Sequence, residues 1–219
     1  MCKNVLKPPT MSLVAMAICK NGICCITDSR TIKDGKVASD EAYKSTVIKN
    51  VNGLNLLVGV AGMSEMNCGE ITPQLNRRFN NSSVNVEYYD PECGVRSTLY
   101  AISQYVQMNK KDNETTCLVF GYYLNNQPRL AVFSIDKDNI NSSFIDTPYV
   151  VCGEPESAKI LWDKVKNVSL ATVTMFAHYC VQYVDEIIES GRDKENFGVG
   201  GFINVIAIDE RNIKNVYYD

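Results

Sequence analysis

Residues 12–28, SLVAMAICKNGICCITD, are two apolar β-type runs broken by Lys20-Asn21-Gly22, the pattern of a tight hairpin. Neither run alternates cleanly between apolar and polar, which points to strands covered on both faces. Successive strand residues face opposite sides, so the adjacent Cys24 and Cys25 fill two different layers and do not chelate one ion.

Outward from this hairpin, residues 29–45 form a polar connection with a turn at Asp34-Gly35, followed by strands at Thr46–Lys49 and Leu54–Val60 around Asn52-Gly53. The period then changes. A helix-compatible stretch runs from about Ser64 to Phe79. From Pro91 to about Lys110, Val95, Leu99, Ile102, Tyr105 and Val106 share one helix face. Strands return at Cys117–Tyr123, Arg129–Ile135, Phe144-Ile145 and Tyr149–Cys152. Two helices follow, at about Glu156–Lys166 and Leu170–Glu189, and the last strands are Phe202–Ile208 and Val216–Tyr218. Helices in consecutive pairs disfavour a doubly wound parallel sheet. The expected fold class is α+β: a four-layer αββα sandwich of two mainly antiparallel sheets, each flanked by a helix pair.

The 219 residues carry 22 Lys and Arg against 25 Asp and Glu, a net charge of −3. That balance gives no nucleic-acid footprint and no basic membrane surface. No run reaches the roughly 20 apolar residues of a membrane span, and MCKNVLKPPT at the start lacks the apolar core of a secretory signal. A cytoplasmic location is expected, so the Asn-x-Ser/Thr matches at Asn80, Asn81, Asn113, Asn141 and Asn167 are accidental. Nine cysteines, an odd number without Cys-x-x-Cys spacing, read as reduced core thiols.

The single histidine, His178, excludes His-rich zinc sites and leaves one candidate for any His-based triad. It shares a polar helix face with Gln182, Asp185 and Glu189, which places it on the surface. Val60-Ala61-Gly62-Met63 and Gly198-Val199-Gly200-Gly201 lack the Lys-Ser/Thr of a phosphate loop and the dinucleotide spacing. Neither a cofactor nor a metal is expected.

What remains is Ser12 opening the first strand, Asp28 closing the second, Lys44 before the next pair, and Gly62 after a strand. Together with Asp28-Ser29-Arg30, Val37-Ala38-Ser39, Cys152-Gly153 and Gly200-Gly201-Phe202-Ile203-Asn204, this resembles the proteasome β-type branch of the N-terminal nucleophile (Ntn) hydrolases, from about Ser12 onward. The resemblance implies residues 1–11 as a leader or propeptide-like segment and 12–219 as one Ntn-hydrolase domain. It also implies peptide or amide bond hydrolysis with Ser12 as nucleophile. The freed α-amine would be the base, since its reference pKa of about 7.7–8.0 needs no histidine. By the same resemblance, Lys44 is the cation beside the hydroxyl, Asp28 orients Lys44, and the Gly62 N–H is an oxyanion donor.

Thr10 is a secondary nucleophile candidate two residues upstream, and Asn196 stands where active family members carry a supporting Asp. Val199 and Glu154 likewise replace family serines. These departures leave open a non-catalytic structural subunit or scaffold. The implied partners are a peptide or unfolded protein substrate and a ring-forming homo- or hetero-oligomer. Met16, Thr31–Lys36 and Met63 are the expected residues near the site.

Overall fold

The computed structural model describes residues 12–33, 36–62, 65–66, 69–83, 90–110, 114–166, 171–191, 197–209 and 213–215. The hairpin read first is there: β1 (Leu13–Cys19) pairs antiparallel with β2 (Gly22–Asp28), and both are buried almost throughout. Next come β3 (Thr31–Lys33), β4 (Lys36–Ser39), β5 (Ser45–Val51), β6 (Leu54–Ala61), β7 (Glu65–Met66) and β8 (Gly69–Glu70). Helices α1 (Ile71–Phe79) and α2 (Pro91–Asn109) lead to β9 (Thr116–Leu124), β10 (Gln127–Ile135), β11 (Ile140–Ile145) and β12 (Tyr149–Gly153). Helices α3 (Pro155–Val165) and α4 (Val173–Gly191) precede β13 (Ile203–Ile208) and β14 (Ile213–Asn215).

Two antiparallel five-stranded sheets result, ordered β12-β1-β2-β13-β14 and β11-β10-β9-β6-β5. Local chemistry sets the element ends. Asn125 and Asn126 both take positive φ (50° and 62°) in the β9–β10 turn, a conformation that Asn tolerates and that suits a two-residue hairpin. Helix α2 starts with Pro91 after Asp90, whose carboxylate accepts the Glu92 N–H at 3.0 Å. Helix α3 starts with Pro155 after Glu154, whose carboxylate accepts from Glu156 and Ser157. These caps satisfy donors that helix geometry leaves open.

Three apolar clusters join these elements. Ile71, Leu75 and Phe79 of α1 and Val95, Leu99, Ile102 and Val106 of α2 pack with Phe120 and Phe133 of β9 and β10. Leu161 of α3 and Phe176, Cys180 and Val184 of α4 pack with Leu13, Cys24 and Val205. A third cluster draws on both sheets, with Val14, Met16 and Cys25 against Leu57, Val119 and Val132. Cys24 and Cys25 thus enter different clusters, as strand alternation requires. His178 is exposed on α4. No described helix is long and apolar enough to cross a membrane.

Three expectations changed. The helix expected from about Ser64 begins at Ile71, after the short β7–β8 pair. Gly69, at φ 126°, is unsuited to a helix interior, and the four-residue apolar step starts only at Ile71. The polar connection contains a β3–β4 hairpin, which lacked an apolar signal because β4 is largely exposed. Strand β11 starts at Ile140, earlier than expected, and its residues are mostly half-buried, as befits an edge. The expected strand Val216–Tyr218 lies outside the described residues.

Buried thiols make stability sensitive to alkali. Burial pushes Cys19 up to about 12 and raises Cys24, Cys25 and Cys180 as well. Above about pH 9 the unfolded chain loses these thiol protons while the folded chain keeps them. Unfolding free energy then falls by about 1.4 kcal/mol per pH unit per thiol until the folded pKa is reached. Calorimetric melting between pH 8 and 11 is expected to show this decline, and Cys24→Ala to reduce its slope; an unchanged slope would contradict the assignment.

Candidate active site

Ser12 directly precedes β1 and is 1% exposed. Its N–H donates to the Gly198 carbonyl at 3.1 Å and its carbonyl accepts the Glu154 N–H at 2.8 Å. Its φ is 70°, so the side chain leaves the alternation of the strand that follows. Gly153 lies in register with Leu13, and a Cβ there would fall on the Ser12 carbonyl.

The Lys44 ammonium is the hub. Nζ donates to Ser12 Oγ at 2.8 Å, to Asp28 Oδ1 at 3.0 Å and to the Arg30 carbonyl. Three acceptors use all three N–H bonds of a protonated lysine. Its backbone is held as well, since its carbonyl accepts the Val60 N–H at 2.7 Å. Asp28, at the end of β2 and fully buried, also accepts from the Leu13 N–H at 2.8 Å and the Gly200 N–H at 3.1 Å. Burial raises the Asp28 carboxyl and lowers Lys44, while their mutual attraction opposes both shifts. The three donors on Asp28 and the three acceptors around Lys44 hold the ionised pair in place. Gly62 follows β6 at φ 91°, and its carbonyl faces Ser12 Oγ at 3.4 Å.

An outer layer braces this set. Ser29 Oγ donates to the Asp40 carbonyl and accepts the Phe202 N–H at 2.8 Å. Arg30 grips the Asp40 carboxylate with two nitrogens at 2.8 and 3.2 Å. The N–H groups of Ser29 and Arg30 both reach the Gly200 carbonyl, at 3.1 and 2.9 Å. Gly201 takes φ 74° here, and a Cβ on it would press on the Asp40 carbonyl at 2.6 Å.

Ser12, Asp28, Lys44 and Gly62 therefore converge, although the sequence separates them by up to fifty residues. Thr10, Asn196 and Met63 lie outside the described residues. Met16 does not reach the site: it is fully buried in the inter-sheet cluster. Of Thr31–Lys36, Thr31 and Ile32 are half-buried and Lys36 exposed, while Asp34 and Gly35 lie outside the described residues. Val199 is buried in the cluster beneath α3 and α4, and Glu154 serves as the α3 cap. Sequence reasoning missed Asp40 and the Gly198 carbonyl. Asp40 carries no motif, and Gly198 belonged to a glycine cluster weighed only for phosphate binding. Among the described residues no group of three or more His, Cys, Asp or Glu is placed to hold a metal ion.

No protein-family model matches the chain, and no curated protein matches its sequence. Solved structures do match, and they define a proteasome-like Ntn-hydrolase fold. Anbu from Hyphomicrobium sp. strain MC1 aligns with TM-score 0.63 and 16% identity over 93% of this chain and 85% of that chain. Its Gly-1 mutant gives 0.60 at the same identity and coverage. Anbu, the ancestral beta-subunit, from Yersinia bercovieri gives 0.59 and 19% identity over 90% of this chain and 81% of that one. The expected placement in the proteasome β-type branch is thereby corrected, because these neighbours are Anbu proteins. At such identity the likeness carries the fold and no closer kinship, and the motifs quoted from the sequence marked the fold class without separating its branches.

Proposed function

We propose that the chain is an Ntn amidohydrolase that cleaves peptide bonds, with residues 1–11 removed to free the Ser12 amine. One observation carries this reading: Lys44 Nζ sits 2.8 Å from Ser12 Oγ while Asp28 holds it from behind, all within a buried cluster. An ammonium at that distance in a water-poor site favours the serine alkoxide. Attack on the carbonyl carbon forms the acyl-enzyme; the α-amine takes the hydroxyl proton and returns it to the leaving amine, and water then releases the acyl group. The Gly62 N–H is the proposed oxyanion donor. Residues 12–219 act as one domain, and the three apolar clusters support a helix–sheet–sheet–helix stack. A ring of such subunits, acting on unfolded chains in the cytoplasm, completes the reading.

A chain starting at Ser12 is expected to take up an epoxyketone or β-lactone covalently and to hydrolyse fluorogenic peptides. Ser12→Ala should abolish the adduct and cost about 10³-fold or more in rate. The full chain, with Ser12 held in a peptide bond, should form no adduct. Absence of an adduct on folded, leader-free protein would sink the proposal. It would favour a structural subunit of the same fold, the reading that the buried Val199 and the helix-capping Glu154 support.

A further inference from the structure

Cys117 of β9 and Cys152 of β12 belong to different sheets, yet their thiols hydrogen-bond to each other across the inter-sheet cluster. Both stand next to the backbone that frames Ser12. Cys117 is in register with Ala61, the residue before Gly62. Cys152 is bonded to Gly153, which lies against the Ser12 carbonyl. We propose that this pair is a redox modification site, in which a peroxide converts the two thiols into a reversible disulfide that ties the sheets together beside Ser12.

The surroundings divide the labour between the sulfurs. Cys117 is buried and is hydrogen-bonded by the Cys152 thiol and the Ser134 hydroxyl. Those two donors favour its thiolate, and Cys117 is the one described cysteine whose pKa is lowered; burial raises the thiols of Cys19, Cys24, Cys25 and Cys180. Cys152 is half-buried and opens the pair to a small oxidant. The Cys117 thiolate attacks one peroxide oxygen, the O–O bond breaks, and Cys117 becomes a sulfenic acid as hydroxide or alkoxide leaves. Cys152 then attacks that sulfur, the S–O bond breaks, and the hydroxyl departs as water with the Cys152 proton. The two thiols lose two electrons in total and the peroxide gains them. A thiol reductant reverses the change.

The test uses the full-length wild-type chain, oxidised with hydrogen peroxide, alkylated and mapped by mass spectrometry without reduction. A linked peptide joining Cys117 to Cys152 is expected, lighter by two hydrogens and cleaved by dithiothreitol. It should form about 10-fold or more faster than any oxidation of Cys24, Cys25 or Cys180. In Cys152→Ser, Cys117 should accumulate as a sulfenic acid that dimedone traps. Should Cys117 and Cys152 remain alkylatable after unfolding, at a dose that has already oxidised the exposed Cys93, the proposal is overturned. Linkage through other cysteines overturns it equally. The mapping needs neither a folded variant nor hydrolytic activity, so it succeeds or fails independently of the hydrolase reading.

Discussion

Lys44→Met is expected to lower the unfolding free energy by about 3–5 kcal/mol at neutral pH, because it leaves the Asp28 carboxylate buried without its cation. The Leu13 and Gly200 N–H groups still bind that carboxylate, but neither carries a full charge. The pH dependence identifies the cause. Without Lys44 the folded pKa of Asp28 rises further above the unfolded value of about 3.9. A raised folded pKa means the native state holds a proton that the unfolded state has released. The deficit is therefore absent below about pH 4 and grows as pH rises through the folded pKa. Denaturant melts of the wild type and Lys44→Met at pH 4 and pH 7 should converge at the lower pH. Asp28→Asn combined with Lys44→Met should recover much of the loss at pH 7. Equal deficits at both pH values would show that lost packing, not charge, is responsible.

The second large effect is expected from Gly153→Ala. The added methyl would meet the Ser12 carbonyl and, at 2.9 Å, Leu13 Cα. Both are main-chain atoms in a paired strand, so neither can swing aside as a flexible side chain would. The φ of 144° adds a conformation that L-residues avoid. Overpacking and backbone strain together are expected to cost about 2–4 kcal/mol. Because β12 pairs with β1 at this point, the damage reaches Ser12 Oγ. Gly94→Ala, where no atom lies near the added methyl and the residue is helical, is the control and should melt within about 1 kcal/mol of wild type. Similar melting of the two variants would show that the close approach at Gly153 is slack.

How much of this was legible depended on whether a signal lay along the chain or across it. The β1–β2 hairpin announced itself through apolar runs around Asn21-Gly22, and α2 through its three- and four-residue steps, because both depend on neighbours in sequence. The β3–β4 hairpin did not: Lys36, Val37 and Ala38 are exposed, so burial left no periodic trace. Met16 was misplaced for a related reason. Strand alternation puts it on one face with Val14, but Ser12 precedes the strand with its φ reversed and does not continue that face. Composition and spacing never joined Ser12, Asp28 and Lys44; only a family resemblance did. Their meeting is made by sheet pairing and by the Gly198–Gly201 backbone, whose contacts with Ser12, Asp28 and Arg30 span more than a hundred and sixty residues of chain.

The reversed φ at Ser12 bears on the linkage between residues 11 and 12 itself. That torsion is defined by the carbonyl carbon of Met11 and ceases to exist once the Met11–Ser12 bond is cut. A non-glycine residue held there costs of order 1–3 kcal/mol, a cost borne by the joined chain and not by one that starts at Ser12. The site thus acts like a sprung latch: the contacts that seat the serine also load the bond whose scission would arm it.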